Sequence, residues 1–147
     1  MSTQIGNAGV AAAGGTTVGA LFHSIAQSSM SAVALIDGER TSTYAQVDER
    51  TTCFANRLAD LGLKPGSRLA VLATNCIEYV EIELAAAKAG VIVAALNWRL
   101  GDRELKHCIE LVSPSLIVEG AALSQNLDRL DLNNIPRIVL EHDFDAQ

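Results

Sequence analysis

The sequence predicts an α/β domain: a mostly parallel sheet whose strands are joined by crossover helices. Three observations predict it. Short apolar runs alternate with helical patterns from Arg68 onward. Those runs, RLAVLAT and VIVAAL, are continuous rather than alternating, as in strands covered on both faces. Cap and stop residues punctuate the helices between them, which is the spacing of parallel strands linked by helices.

The elements follow in order. Residues 1–17 are rich in Gly, Ala, Ser and Thr and read as a flexible tail; residues 18–147 read as the α/β part. Within the tail, Gly9 to Thr16 (GVAAAGGT) mimics a phosphate-binding loop. It has Gly15 where the lysine belongs and no strand before it, so no phosphate site is assigned. Val18, Leu21, Phe22 and Ile25 fall on one helical face. Ala32 to Ile36 is a strand, Asp37-Gly38 a hairpin turn, and Arg40 to Ser42 the returning strand. Thr43 caps a helix with Gln46 three residues on; its stripe is Val47, Phe54, Ala55, Leu58 and Leu61, and Gly62 stops it.

Pro65-Gly66 turns the chain into a buried strand, Arg68 to Thr74. Asn75 is expected to cap the next helix, with Glu78 in the box position, Ile77, Val80, Leu84 and Ala87 on its inner face, and Gly90 as its stop. Val91 to Leu96 is expected to be an interior strand. Gly101 and Glu104 open a helix to Val112. Ser115 to Val118 is a strand, Ala121 to Leu130 a helix, and Arg137 to Leu140 a last strand.

Composition bounds the function. Of 147 residues, 49% are hydrophobic and 19% charged, enough for a core and too little charge for disorder. A net charge of −6 and no Lys/Arg cluster argue against nucleic acid. No apolar run approaches the roughly 20 residues of a membrane span, and the start lacks the pattern of a secretory signal. The expected location is the cytoplasm. Cys53, Cys76 and Cys108 have no metal-like spacing and read as reduced thiols, small residues of the core. His107 adjoins Cys108, but helix neighbours point about 100° apart, so the two form no dyad. His23 and His142 have no recognisable partners.

One order of pieces carries a resemblance. It runs through Thr43-Tyr44, Gly62 to Gly66 (GLKPG), RLAVLAT, Asn75, Lys88-Ala89-Gly90, and Asn97-Trp98-Arg99-Leu100 followed by Glu104-Leu105. Over about Leu21 to Val118 it resembles the N-terminal part of the adenylate-forming superfamily, and NWRL looks like the acyl-CoA synthetase branch. The resemblance implies a parent enzyme that joins a small carboxylic acid to ATP, releases pyrophosphate, and passes the acyl group to coenzyme A. It also implies Mg²⁺ and a Ser/Thr/Gly-rich loop ending in Pro-Lys-Gly. No such loop occurs in this sequence. The chain is therefore expected to be the first part of such an enzyme, incomplete at its C-terminus and inactive alone. No catalytic, cofactor-binding or metal-ligating residue is carried over.

Asn97 and Arg99 stand where strand meets helix, at the end of the sheet where α/β proteins bind ligands. They are expected to serve folding: Asn97 bonding local backbone, Arg99 pairing with a carboxylate such as Glu104. Trp98 and Tyr79 are expected to pack, and Glu78, Glu81 and Glu83 to form a solvated helix face. The remainder of the parent chain is the expected partner, and self-association is expected where its absence exposes an edge. Two other readings stand beside this one: a stand-alone α/β binding or interaction module, and the first part of a peptide-synthetase adenylation domain.

Overall fold

A computed structural model describes residues 16–132 and 134–140. Helix α1 (Val18–Ser28) leads into a hairpin of β1 (Val33–Asp37) and β2 (Arg40–Thr43). Then come α2 (Tyr44–Asp60), β3 (Arg68–Leu72), α3 (Ile77–Ala89), β4 (Ile92–Ala95), α4 (Asp102–Val112) and β5 (Leu116–Gly120). A 3₁₀ turn (Ala121–Leu123), α5 (Ser124–Asp128) and β6 (Arg137–Leu140) complete the order. The hairpin is antiparallel and separate; the main sheet is parallel, in the order β4-β3-β5-β6.

Strand alternation makes two cores. Leu69 and Val71 of β3 and Leu116 and Val118 of β5 face α2 and α3, meeting Phe54, Leu58, Ile82, Ala85 and Ala86. Ala70, Leu72 and Ile117 face the other way, onto Leu105 and Ile109 of α4 and Leu127 of α5. Each fully buried Leu or Ile contributes about 1.5–3 kcal/mol relative to exposure. The result is a three-layer sandwich in which β3 and β5 are covered on both faces, as their unbroken apolar runs require.

The local signals behave as predicted at several ends. Thr43 Oγ1 accepts from the Gln46 amide, and Gln46 Oε1 accepts from the Thr43 amide at 2.9 Å, closing the capping box. Gly90 ends α3 in the left-handed region, φ +69, with its amide on the Ala86 carbonyl. A side chain there would be strained and its Cβ would stand 3.2 Å from Pro65 Cβ.

Other expectations need correction. Among the described residues VIVAAL is an edge strand, not an interior one: there β4 pairs only with β3, and Ile92 is 54% exposed. Only its flanks, Val91 and Leu96, are buried. Asn75 does not cap α3. The N-cap is Cys76, without a side-chain cap bond, and the Glu78 carboxylate is held by Arg40. The buried face of α3 is Ile77, Glu78, Glu81, Ile82, Ala85 and Ala86, one step round from the predicted stripe.

In α1 the large apolar residues Val18, Leu21 and Ile25 stay exposed, while Gly19 and Ala26 are buried. Small residues seat this helix because it approaches α3 too closely for larger ones: a Cβ on Gly19 would lie 2.8 Å from Lys88 Cα. Leu61 is exposed, having rotated off the α2 stripe at the C-cap. The predicted helix 121–130 is a 3₁₀ turn plus a short α5. Thr17, placed in the tail, caps α1 by accepting from the Ala20 amide at 3.2 Å. The rest of that tail, with all of the GVAAAGGT stretch but Thr16, lies outside the described residues, as does His142.

Candidate functional site

All four sheet strands run one way, so their carboxyl ends share one end of the sheet. That end presents Ala73 and Thr74 after β3, the corner Asn97 to Leu100 after β4, and Glu119-Gly120 closing β5. In open parallel sheets this is the end at which ligands bind.

The corner is built locally. Asn97 Oδ1 accepts from the Arg99 amide at 3.0 Å, and the Leu100 amide donates to the Asn97 carbonyl at 3.2 Å. These bonds turn the chain out of β4 and into α4, whose first turn is held where Glu104 Oε2 accepts from the Gly101 amide at 3.2 Å. The expected pairing of Arg99 with Glu104 therefore does not occur, since that carboxylate is taken by backbone. Instead the Arg99 guanidinium lies 4.5 Å from the Trp98 ring centre, a cation–π contact. Asn97, Trp98 and Arg99 are all exposed, Trp98 at 38%.

Glu119 is a buried charged group at this end. It receives Arg137 in a forked set of hydrogen bonds, with Asp128 on the other side of the guanidinium at 2.8 Å. Burial pushes the Glu119 carboxyl above its usual range, and the bonds from Arg137 only partly offset this. Arg137 loses hydration too, but its two carboxylates outweigh that and hold it above its ordinary value. Both values are raised, for different reasons: lost hydration prevails at the more deeply buried Glu119, and the two carboxylates prevail at Arg137.

A second polar seam runs behind the sheet, between α3 and the N-terminal elements. Glu78 accepts from Arg40 at 2.6 Å, and Arg40 also reaches Asp37 at 2.7 Å, fastening the hairpin. Glu81 accepts from Arg50 Nε at 2.9 Å, while Arg50 Nη2 reaches Ser42 at 2.7 Å. Asp48 joins three helices: it takes Lys88 Nζ of α3 at 2.7 Å and His23 Nδ1 of α1 at 2.8 Å. Burial pushes the Asp48 and Glu78 carboxyls up, but Lys88 with His23, and Arg40, more than reverse this and leave both below the usual range.

These partnerships overturn several expectations. Glu78 and Glu81 are buried, and only Glu83 of the three is solvated. They turn inward because Arg40 and Arg50 meet them. His23 has a partner, Asp48. Cys53 is exposed, on the outer side of α2 beside inward Phe54, while Cys76 and Cys108 are half-buried. His107 is exposed and Tyr79 packs on the core formed with α2 and α3. The pairings join residues far apart in sequence, so no local spacing announces them; Glu119, a charge directly after the apolar LIV, is the one signal available.

Among the described residues the buried carboxylates do not fit a metal centre. Each buried carboxylate, Asp48, Glu78, Glu81 and Glu119, is engaged by a lysine or arginine. Among the described residues no group of three His, Cys, Asp or Glu is placed to hold a metal ion. No helix there is long and apolar enough to cross a membrane.

A parallel sheet wrapped on both faces, with a polar corner at its carboxyl end, defines the class: an open α/β domain. The chain belongs to the family of AMP-binding enzymes, whose pattern it matches over residues 21–146. Feruloyl-CoA synthase from Amycolatopsis sp is 31% identical over 113 residues, 77% of this chain and 23% of that protein. Long-chain fatty acid transport protein 1 from Rattus norvegicus is 31% identical over 112 residues, 75% of this chain and 17% of that one. The fold is similar to Mycobacterium tuberculosis fatty acyl CoA synthetase, with a TM-score of 0.78 at 23% identity, over 84% of this chain and 26% of that one. The chain thus spans about a quarter or less of the length of these relatives.

Proposed function

We propose that this chain is the N-terminal part of an ATP-dependent acyl-CoA synthetase. The parent converts a carboxylic acid and ATP to an acyl-adenylate, then transfers the acyl group to coenzyme A. The observation that carries the reading is the AMP-binding family match across residues 21–146. Relatives named for feruloyl-CoA synthesis and for long-chain fatty acids support an aryl or fatty acid as substrate. ATP, Mg²⁺ and coenzyme A belong to the parent, which we place in the cytoplasm.

Within that enzyme this chain supplies scaffold. Asn97 and its corner set the path from β4 into α4 at the ligand end of the sheet, and the remaining chain supplies phosphate and metal ligands. Alone, the chain is expected to be inactive, since its sequence holds no Ser/Thr/Gly-rich loop ending in Pro-Lys-Gly.

Pyrophosphate exchange against a panel of carboxylic acids tests both statements. The parent is expected to exchange with at least one aryl or fatty acid, and the 147-residue chain with none. Exchange by the chain alone refutes its inactivity. A parent inert toward the whole panel refutes the ligase reading and favours an α/β binding module.

A further inference from the structure

We propose that α1 is a strap that lifts off α2 and α3 while the rest of the protein stays folded, and that Asp48 is the pin that holds it shut. Among the described residues α1 takes no part in either apolar core. Its buried positions are Gly19 and Ala26, which bring almost no side chain to bury. Leu69 of β3 and Ile109 of α4, by contrast, cannot leave without opening a core.

Polar and aromatic contacts hold α1 instead. His23 Nδ1 lies 2.8 Å from Asp48 Oδ2. The Phe22 ring stands 5.9 Å from that of Tyr44, and Lys88 Nζ lies 5.9 Å from the Phe22 ring. The His23 side chain is 57% exposed, so water replaces its bond at little cost.

Asp48 is arranged to survive the loss of α1. Lys88 Nζ donates to Asp48 Oδ1 at 2.7 Å and to the Asp48 main-chain carbonyl at 2.9 Å. Those bonds join α2 to α3 and do not involve α1. When α1 lifts, His23 leaves and Lys88 stays, so no buried carboxylate is stranded. Arg40 meanwhile keeps the hairpin on Glu78. Once free, α1 does not hold its shape: its 11 residues fall short of the roughly 12–15 at which an isolated helix becomes even marginal in water. Lifting and unwinding are therefore one event, a sub-global opening of the native protein.

The test is amide hydrogen exchange of the full protein that carries this chain, followed peptide by peptide. The α1 amides are expected to open together, at least about tenfold more often than those of β3 and β5. His23→Ala should speed exchange in α1 at least about twofold, the lower end for one net hydrogen bond. Ile109→Val trims the core on the far side of the sheet, which the lifted state keeps intact. It should speed exchange in β3 and β5 and leave α1 as it was. Amides of α1 protected as strongly as those of β3 and β5 overturn the proposal. So does an Ile109→Val variant that speeds α1 as much as the sheet, or a His23→Ala variant that leaves α1 unchanged.

Discussion

Arg137 donates to Glu119 three times: Nε to Oε1 at 2.9 Å, Nη2 to Oε1 at 2.7 Å, and Nη2 to Oε2 at 2.9 Å. The Glu119 side chain is 1% exposed, so almost none of its charge is met by water. The pair ties the carboxyl end of β5 to the start of β6.

Removing one partner should therefore hurt more than removing both. Arg137→Met strands a buried carboxylate and should cost about 3–5 kcal/mol. The double variant Arg137→Met with Glu119→Leu should recover most of that, since an apolar pair needs no hydration. Urea midpoints of the single and double variants decide it. A single variant within about 1 kcal/mol of wild type would mean that Glu119 finds another partner or water.

Acid should unfold the chain through the seam behind the sheet. Asp48 and Glu78 have folded pKa values below their unfolded ones. Their stabilisation is present above the unfolded values, about 3.9 and 4.3, and is lost as pH falls through the folded values. Glu119 has the opposite sign: its folded value is raised, so its contribution is full below about 4.3 and declines as pH rises through the folded value. Asp48→Asn with Glu78→Gln should flatten the acid limb of a melting-temperature profile, and Glu119→Gln should flatten the decline above it. An acid limb unchanged in the double variant would remove the seam as its cause.

Gly19→Ala should destabilise, although alanine is the better helix former by about 1 kcal/mol. The added Cβ would meet Lys88 Cα at 2.8 Å and Lys88 N at 2.9 Å. Both are backbone atoms, so no rotamer change relieves the clash and α1 must shift off α3. A net loss of about 1–3 kcal/mol is expected, typical of overpacking. Thermal melts are the measure; an unchanged or raised midpoint would place the seat of α1 elsewhere.

Asn97→Ala should cost little, because the bond it removes is exposed. A loss under about 1 kcal/mol is expected, the lower part of the range for a hydrogen bond. In the parent enzyme its catalytic constants should follow stability. A large fall in turnover with an unchanged denaturation midpoint would make Asn97 a ligand contact.

The α/β order, the hairpin and the Thr43 capping box were legible because each rests on neighbours within a few residues. Asn97 bonding its own corner was legible for the same reason. The edge position of β4 was not: VIVAAL reads as buried whether a second strand flanks it or none does, since an apolar run records intended cover and not its source. Glu78 and Glu81 read as a solvated face because helix spacing cannot show Arg40 and Arg50 arriving from elsewhere in the chain. Gly19 was lost among the larger residues of α1, where the face that packs is set by closeness of approach rather than by hydrophobicity.

The place of β3 between β4 and β5 has a consequence for synthesis. β3 is the first strand of the main sheet to leave the ribosome, yet both its neighbours come later. Leu69 must wait for Val93 on one side and Leu116 on the other. At about 5–20 residues per second, translation leaves RLAVL without its second neighbour for some seconds. During that interval the nascent chain carries a bare, adhesive strand at its centre. Holdase chaperones act on such segments, and slow codons between Leu72 and Leu116 would lengthen their opportunity.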